Sequence, residues 1–252
     1  MHRFFVDKQN IQEENDVIII TDSDDVKHIA KVLRLKEKDE IEICDGNNNE
    51  YIGEICYLDK SGIKLKILTK YKTLTESNVE VTLFQGIPKA SKMDYIIQKC
   101  TEMGIHAIVP VITERTIVQI KDKKTEEKKV ERWQKVAEEA AKQSKRGVIP
   151  RILEPLSFNE LLNSISDYDL MLVPYEKELK SSMRQAFKHK KLIKRIGIIV
   201  GPEGGFEENE IEAAKDCGAI PVTLGPRILR TETAGLISLS IVMYELGDLG
   251  GV

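Results

Sequence analysis

Cysteine is scarce in this chain. Only Cys44, Cys56, Cys100 and Cys217 occur among its 252 residues, and no two form a CxxC pair. That spacing speaks against a zinc framework or a disulfide scaffold, and reads as reduced, buried, small apolar side chains of a cytosolic protein. Long apolar runs are missing too. None approaches the roughly 18 residues of a membrane span, and the MHRFFV start is too short for a secretory core and has no small-residue cleavage site after it. No membrane partner is expected, and the location is read as cytoplasmic. An excess of positive charge is also lacking. The net charge is −3 and the pI about 5.9, whereas a general nucleic-acid binder is usually basic. Any RNA contact must therefore rest on local patches. The distribution allows it: Gln12 to Val26 carries six acids and no base, while Arg184 to Arg195 carries six Lys or Arg and no acid. That basic stretch reads equally as a solvated loop or helix end.

What is present describes an ordinary soluble globular chain, 41% hydrophobic and 31% charged, enough for one large domain or two modest ones. Residues 1 to about 72 read as β. Val17–Thr21, Glu40–Cys44, Glu50–Leu58 and Ile63–Leu68 are strand-like and bounded by turn clusters such as Asp45–Asn49. One helix is expected near Asp24–Leu33. Short strands with tight turns suggest a small barrel. After about Ser77 strands and helices alternate. Strands are expected at Val79–Phe84, Ala107–Ile112, Leu170–Val173, Ile196–Val200 and Ile220–Leu224. Helices are expected at Ser91–Met103, Lys124–Ser144, Glu207–Cys217 and Thr231–Leu246. The nearly wholly apolar strands fit a parallel sheet covered on both faces.

The sharpest chemical feature is Ile198-Ile199-Val200-Gly201-Pro202-Glu203-Gly204-Gly205. An apolar strand ends abruptly in a loop with three glycines, and a helix follows. Glycines there let backbone N–H groups approach a ligand and adopt positive φ, and ligands of open α/β sheets bind beyond the carboxyl ends of strands. The loop also reads as a plain structural turn. GPEGG is not GxGxxG, and no acid stands at a clear ribose position about 20 residues on, which disfavours a nicotinamide cofactor. A second loop changes the balance. Val222-Thr223-Leu224 ends another strand and runs into Gly225-Pro226-Arg227-Ile228-Leu229-Arg230, after which Thr231-Glu232-Thr233-Ala234-Gly235 opens the last helix. Free N–H groups at a helix start favour an anion or carboxylate. The bland alternative makes Arg227 and Arg230 surface residues, and Thr231 or Thr233 an N-cap.

GPEGGF followed by LGPRILRTETA resembles the S-adenosylmethionine (SAM) binding signatures of the trefoil-knotted SPOUT methyltransferases. More narrowly, it resembles the RsmE family, which methylates N3 of a uridine in 16S ribosomal RNA. The resemblance covers nearly the whole chain. HRFF at the start, His28 through Arg34, Lys89, Lys92-Met93-Asp94, Lys99, Thr101-Glu102-Met103-Gly104 and Glu114-Arg115 are similar to that family's segments. So are Ala140, Gln143-Ser144, Arg146 and Ile149-Pro150. The segments Lys121–Lys129 and Arg184–Arg195 fall outside the resemblance.

The resemblance implies an α/β trefoil-knotted SPOUT methyltransferase domain over residues 73–252, preceded by a small PUA-like β-barrel RNA-binding domain over residues 1–72. It implies a homodimer with its sites near the dimer interface, acting on 16S rRNA in the small ribosomal subunit. SAM would be held by Val200, Gly201, Pro202, Glu203, Gly204 and Gly205 of the first loop. The second loop would add Leu224, Gly225, Arg227, Ile228 and Leu229. Thr233 and Ala234 of the last helix, and Leu172 and Pro174 of an earlier strand, would complete the site, with no metal. RNA would be met by Arg3, His28, Lys31 and Arg34 in the first domain, and by Lys89, Lys92, Arg115 and Arg146 after it. Uridine N3 is a poor nucleophile until its proton leaves. Arg230 is the candidate cation for the developing anion, and Glu203 or Glu232 the candidate base, with water as the alternative. Both carboxylates also have structural readings, in the loop and in the first helical turn. Three rival readings compete with this one. Ribose 2′-O methylation normally goes with Asn where this chain has Glu232-Thr233-Ala234. A non-enzymatic RNA module is disfavoured by the intact glycines and arginines, and an oxidoreductase by the missing GxGxxG.

Overall fold

A computed structural model describes residues 1–118, 122–188 and 192–251. His189, Lys121 and the middle of the basic stretch lie outside the described residues. The chain divides into two compact units. The first comprises Met1–Glu76 with Ala141–Ile149, and the second Ser77–Ala140 with Pro150–Val252.

The first unit is a six-stranded sheet. Its strands are β1 (Arg3–Phe5), β2 (Ile11–Gln12), β3 (Val17–Ile20), β4 (Glu40–Cys44), β5 (Asn49–Leu58) and β6 (Ile63–Lys72), in spatial order β1-β4-β5-β6-β3-β2. Only β1 and β4 pair in parallel. β1 and β2 are edges, so the hydrogen bonding does not close into a complete barrel. The alternation along these strands points Ile18, Ile20, Ile41, Ile43, Ile63 and Leu65 into one core. Between β3 and β4, α1 (Ser23–Lys27) is capped by the Asp22 carboxylate, which accepts from the N–H groups of Asp24 and Asp25. The expected single helix over Asp24–Leu33 instead changes pitch to a π turn at His28–Val32. This rotates Lys31 and Val32 outward while Val26 and Ile29 stay in the core.

The second unit is a seven-stranded sheet whose pairings are all parallel. In chain order its elements are β7 (Glu80–Gly86), α2 (Lys92–Glu102), β8 (Ala107–Ile112), α3 (Lys123–Gln143), β9 (Arg151–Ile152), β10 (Leu156–Ser157) and α4 (Phe158–Ser164). Then come β11 (Leu170–Pro174), α5 (Met183–Lys188), β12 (Arg195–Val200), α6 (Glu208–Asp216), β13 (Ile220–Val222) and α7 (Thr231–Glu245). The order is β10-β8-β7-β12-β11-β13, with β9 also paired to β8. Strand order reverses beside β7 and again across β12-β11-β13, and ligands of open α/β sheets bind beyond the carboxyl ends of strands at such reversals. α4 and α6 cover one face, where Leu161, Phe206 and Ile211 pack on Phe84 and Ile199. On the other face α2 packs on α7 and α7 on β7 and β12. α4 and α5 were not expected. The start of α4 carries a readable signal, a Ser157-x-x-Glu160 capping box. The cysteine reading holds for Cys44 and Cys100 but not for Cys56 and Cys217, which are exposed. Cys56 falls on an outward position of β5 and Cys217 just past the end of α6, where small residues need no cover.

Candidate functional site

The carboxyl ends of β11, β12 and β13 open into one cavity of about 500 Å³, within the roughly 300–1,000 Å³ usual for small-molecule sites. The two strand-end loops form its opposite walls, from Val200 to Phe206 and from Thr223 to Thr231. Pro174, Tyr175, Glu176, Lys92 and Ala234 complete it. Nearly every residue expected to hold a cofactor therefore lines a single space. Two do not. Leu172 is fully buried in β11, paired to Ile198 and Ile220, so its side chain supports the wall from behind. Thr233 faces a separate recess beside Ser91, Tyr95, Leu236 and Ile237. Sequence reasoning missed Lys92, Tyr175, Glu176, Phe206, Thr223 and Thr231 as wall residues.

The glycines are explained by close approach. Gly205 has φ +69°, and its N–H donates to the Pro202 carbonyl at 2.9 Å, closing a tight turn. A Cβ on Gly201 would stand 3.1 Å from the Gly205 backbone, and one on Gly86, at the end of β7, would meet Pro202 at 2.6 Å. The first loop thus folds flat onto the strand ends. Gly225 has φ +106° and open space where a Cβ would stand, so its requirement is conformational.

Lys92 joins the two candidate bases. Its ammonium donates to Glu203 Oε1 at 2.8 Å and lies 3.6 Å from Glu232 Oε2. Its pKa is raised, chiefly by the hydrogen bond to Glu203. Burial pushes the Glu203 carboxyl upward, but the hydrogen bond from Lys92 and those from backbone N–H groups outweigh it, and its pKa is lowered. One of those N–H groups belongs to Lys89, 3.1 Å away. Glu203 is therefore a committed anion that ties the start of α2 to the loop. Glu232 differs: its Oε2 is buried and has no hydrogen-bond donor among the described residues.

Arg227 and Arg230 are exposed at the rim, and neither guanidinium makes an ion pair or hydrogen bond among the described residues. Arg230 is the N-cap of α7, and its side chain makes no capping bond. Thr231, read as an N-cap candidate, is instead buried, and its hydroxyl donates to the Gly201 carbonyl at 2.6 Å. Ile228 is 87% exposed, an apolar side chain left uncovered at the mouth.

Of the expected RNA contacts, His28, Lys31, Arg34 and Lys89 present exposed side chains. Arg34 holds a left-handed φ of +55°, which projects the loop after the π turn. Arg3 and Arg146 are corrections. The Arg3 side chain is only 6% exposed, bonded to Glu42 and Glu50 and to the carbonyls of Lys145 and Arg146. Arg146 is buried against Glu76 at 2.6 Å. Their charge is neutralised internally, so neither offers a face to a phosphate. Arg115 stays exposed, but its guanidinium is engaged within the chain, donating to the Gly204 carbonyl at 2.7 Å and to Glu207 at 2.8 Å. Among the described residues no cluster of three or more His, Cys, Asp or Glu could hold a metal ion.

Known proteins match this architecture over its length. Residues 75–243 fit the family model described as an RNA methyltransferase domain, and residues 20–68 that of an RNA methyltransferase PUA domain. The chain is 37% identical to the ribosomal RNA small subunit methyltransferase E of Bacillus subtilis, over 100% of this chain and 99% of that one. It is 32% identical to the enzyme of the same name from Mesomycoplasma hyopneumoniae, over 95% and 98%. Among solved structures, the ribosomal RNA small subunit methyltransferase E of Neisseria gonorrhoeae, bound to S-adenosyl methionine, superposes with a TM-score of 0.86. It shares 31% identity, with 99% of each chain covered.

Proposed function

The chain belongs to the ribosomal RNA small subunit methyltransferase E family, and on that footing we propose that it methylates N3 of a uridine in 16S ribosomal RNA, with SAM as methyl donor. The observation that carries this is the meeting of two strand-end loops over one cavity, with the unpaired Arg230 at its rim. The cavity fits the donor. Gly201, Gly204, Gly205 and Gly225 stand in its walls, and glycine lets backbone N–H groups approach a folded nucleoside closely. Gly201–Gly205 and Leu224–Leu229 would hold it, with Pro174 and Ala234 at its edges.

When bound, SAM supplies an activated methyl group, so the chain's own work is position and charge. Arg230 meets the negative charge that grows on the uracil carbonyls as N3 loses its proton. Glu232 suits the role of proton acceptor better than Glu203. The hydrogen bonds of Glu203 all favour its anion and weaken it as a base, whereas the buried Oε2 of Glu232, one residue beyond Thr231, accepts no hydrogen bond among the described residues and meets Lys92 as a longer ion pair of 3.6 Å. Lys92 sits between them and keeps both carboxylates in place. Glu232 would take the N3 proton and pass it to water.

The unit containing residues 1–72 is the RNA-binding domain in this reading, with His28, Lys31 and Arg34 at the π turn and Lys89 adding charge from the methyltransferase domain at 73–252. The trefoil knot is part of the same proposal, supported by the reversed order β12-β11-β13 and the return of α7 against β7 and β12. So is a homodimer. α7 is apolar nearly all round, and Ile237 and Tyr244 on it, with Tyr95 on α2, stay exposed in the single chain. The reaction is assigned to the cytoplasm, and no described helix is long and apolar enough to cross a membrane. Incubation with methyl-labelled SAM and small subunits lacking the modification tests the reading. Label should enter the RNA of the small subunit, and a protein that binds SAM but labels only the large subunit would refute it.

A further inference from the structure

Gln85 lies at the end of β7, wholly buried and outside the cavity wall. Its amide nitrogen donates twice, to the Gly86 carbonyl at 3.0 Å and to the Thr231 hydroxyl at 2.8 Å. The amide has one sensible orientation, because the Gly86 carbonyl can only accept. The Thr231 hydroxyl therefore accepts a hydrogen bond from Gln85 and must donate its own to the Gly201 carbonyl, 2.6 Å away. The chain of bonds runs in one direction through three elements: the end of β7, the first residue of α7, and the first residue of the glycine loop. It also leaves the amide oxygen, Gln85 Oε1, buried without a hydrogen-bond partner among the described residues. A buried unmatched oxygen is costly, and such groups in native structures call for a reason.

We propose that Gln85 and Thr231 are positioning residues for methyl transfer, joining the two loops of the cavity at their roots. Gly201 begins the wall that would hold the methyl donor, and Arg230 immediately precedes Thr231. The bond from Thr231 to Gly201 thus sets the distance between the donor site and the cation that faces the uracil. Gln85 fixes the direction of that bond, for without its N–H the hydroxyl proton of Thr231 is free to turn to another acceptor. This rests on the reading of the cavity as the methyl-donor site.

Four variants test it: Gln85→Leu, which removes both donors; Gln85→Glu, which keeps the shape but offers acceptors where donors were; Thr231→Val, which keeps the shape without the hydroxyl; and Thr231→Ser, which restores the hydroxyl. Each is compared with wild type by calorimetry with SAM, thermal unfolding and single-turnover methylation of small subunits. Loss of one preorganised hydrogen bond is expected to lower the methyl-transfer rate about tenfold or more in Thr231→Val and Gln85→Glu, with a smaller loss of SAM affinity. Thr231→Ser should recover most of the rate. If Gln85→Leu fails to fold, the Thr231 pair decides alone. Wild-type transfer rates in folded Thr231→Val would overturn the proposal, as would Thr231→Ser being as slow as Thr231→Val. If wild-type protein does not bind SAM at all, the underlying reading of the cavity falls and this proposal with it.

Discussion

Arg115 donates to the carbonyl of Gly204 at 2.7 Å, and its aliphatic stem lies 3.2 Å from where a Cβ on Gly204 would stand. The glycine loop is therefore pressed between the cavity and an arginine at its back. Substitution at Gly204 strikes Arg115 first. Gly204→Val should weaken SAM binding by displacing that arginine, and Arg115→Ala should weaken it about fivefold by releasing the loop, on the scale of one ordinary hydrogen bond, since the guanidinium is exposed to water. The pair should be strongly non-additive. Calorimetry on both single variants and the double variant gives the coupling. Arg115→Ala should leave the salt dependence of RNA binding unchanged, whereas a phosphate contact would flatten it by a slope of about 0.9 for a duplex-like site.

The two carboxylates beside Lys92 should separate by function. Glu232→Gln is expected to lower the methyl-transfer rate by about 10²-fold, the usual contribution of a positioned base, while SAM affinity stays near wild type. Glu203→Gln should act mainly on stability. The folded-state pKa of Glu203 is lowered from the ordinary 4.5, so its contribution is full above that value and disappears as the pH falls through the lower folded pKa. Acid unfolding of Glu203→Gln should lose that part of its pH dependence, and Lys92→Met should shift the same limb toward higher pH. Equal loss of rate in both glutamine variants would contradict the assignment.

In the first unit, Arg3→Ala should destabilise by about 3–5 kcal/mol, since it strands the buried carboxylate of Glu50. A denaturant midpoint measures this. Lysine should not rescue, because one ammonium cannot serve two carboxylates and two carbonyls at once. By contrast Lys31→Ala and Arg34→Ala should fold normally and flatten the salt dependence of RNA binding. Point variants are the right probe here. Deleting residues 1–72 would also strip Ala141–Ile149 of most of its unit, since the Arg3 side chain holds the carbonyls of Lys145 and Arg146 and Asp25 pairs with Lys142.

Much of this was legible from the residues. Strand-end runs such as VGPEGG and LGPRILR mark themselves, because an apolar strand stopping in Gly and Pro has few other uses, and the helix periods of α2, α3 and α7 are long enough to read. What stayed hidden depends on partners far along the chain. Thr231 looks like any helix-first threonine until Gly201, thirty residues earlier, is found against it. Arg3 and a phosphate-binding arginine are identical in sequence, and only the buried Glu50, 47 residues on, distinguishes them. That Lys92 also pairs with Glu203 and Glu232 is hidden for the same reason, since both lie far along the chain. The π turn at His28–Val32 has no periodic signature, being a helix with one residue too many per turn.

Arg230 is expected to act in the transition state. Arg230→Ala should lower the single-turnover methyl-transfer rate by about 10²–10³-fold, the usual cost of losing one preorganised donor, with little change in SAM affinity. Lysine should restore only part of it. Arg227→Ala should instead raise the Michaelis constant for the RNA substrate.

The most direct measurement is reverse transcription along 16S RNA from small subunits lacking the modification, treated with the wild-type protein and SAM. N3 lies on the pairing edge of uracil, so a methyl group there blocks extension. The account predicts one new stop, next to a single uridine, that requires SAM and is absent with Arg230→Ala. A methylated nucleotide that leaves extension unaffected, or a methyl group found on a ribose, would contradict it.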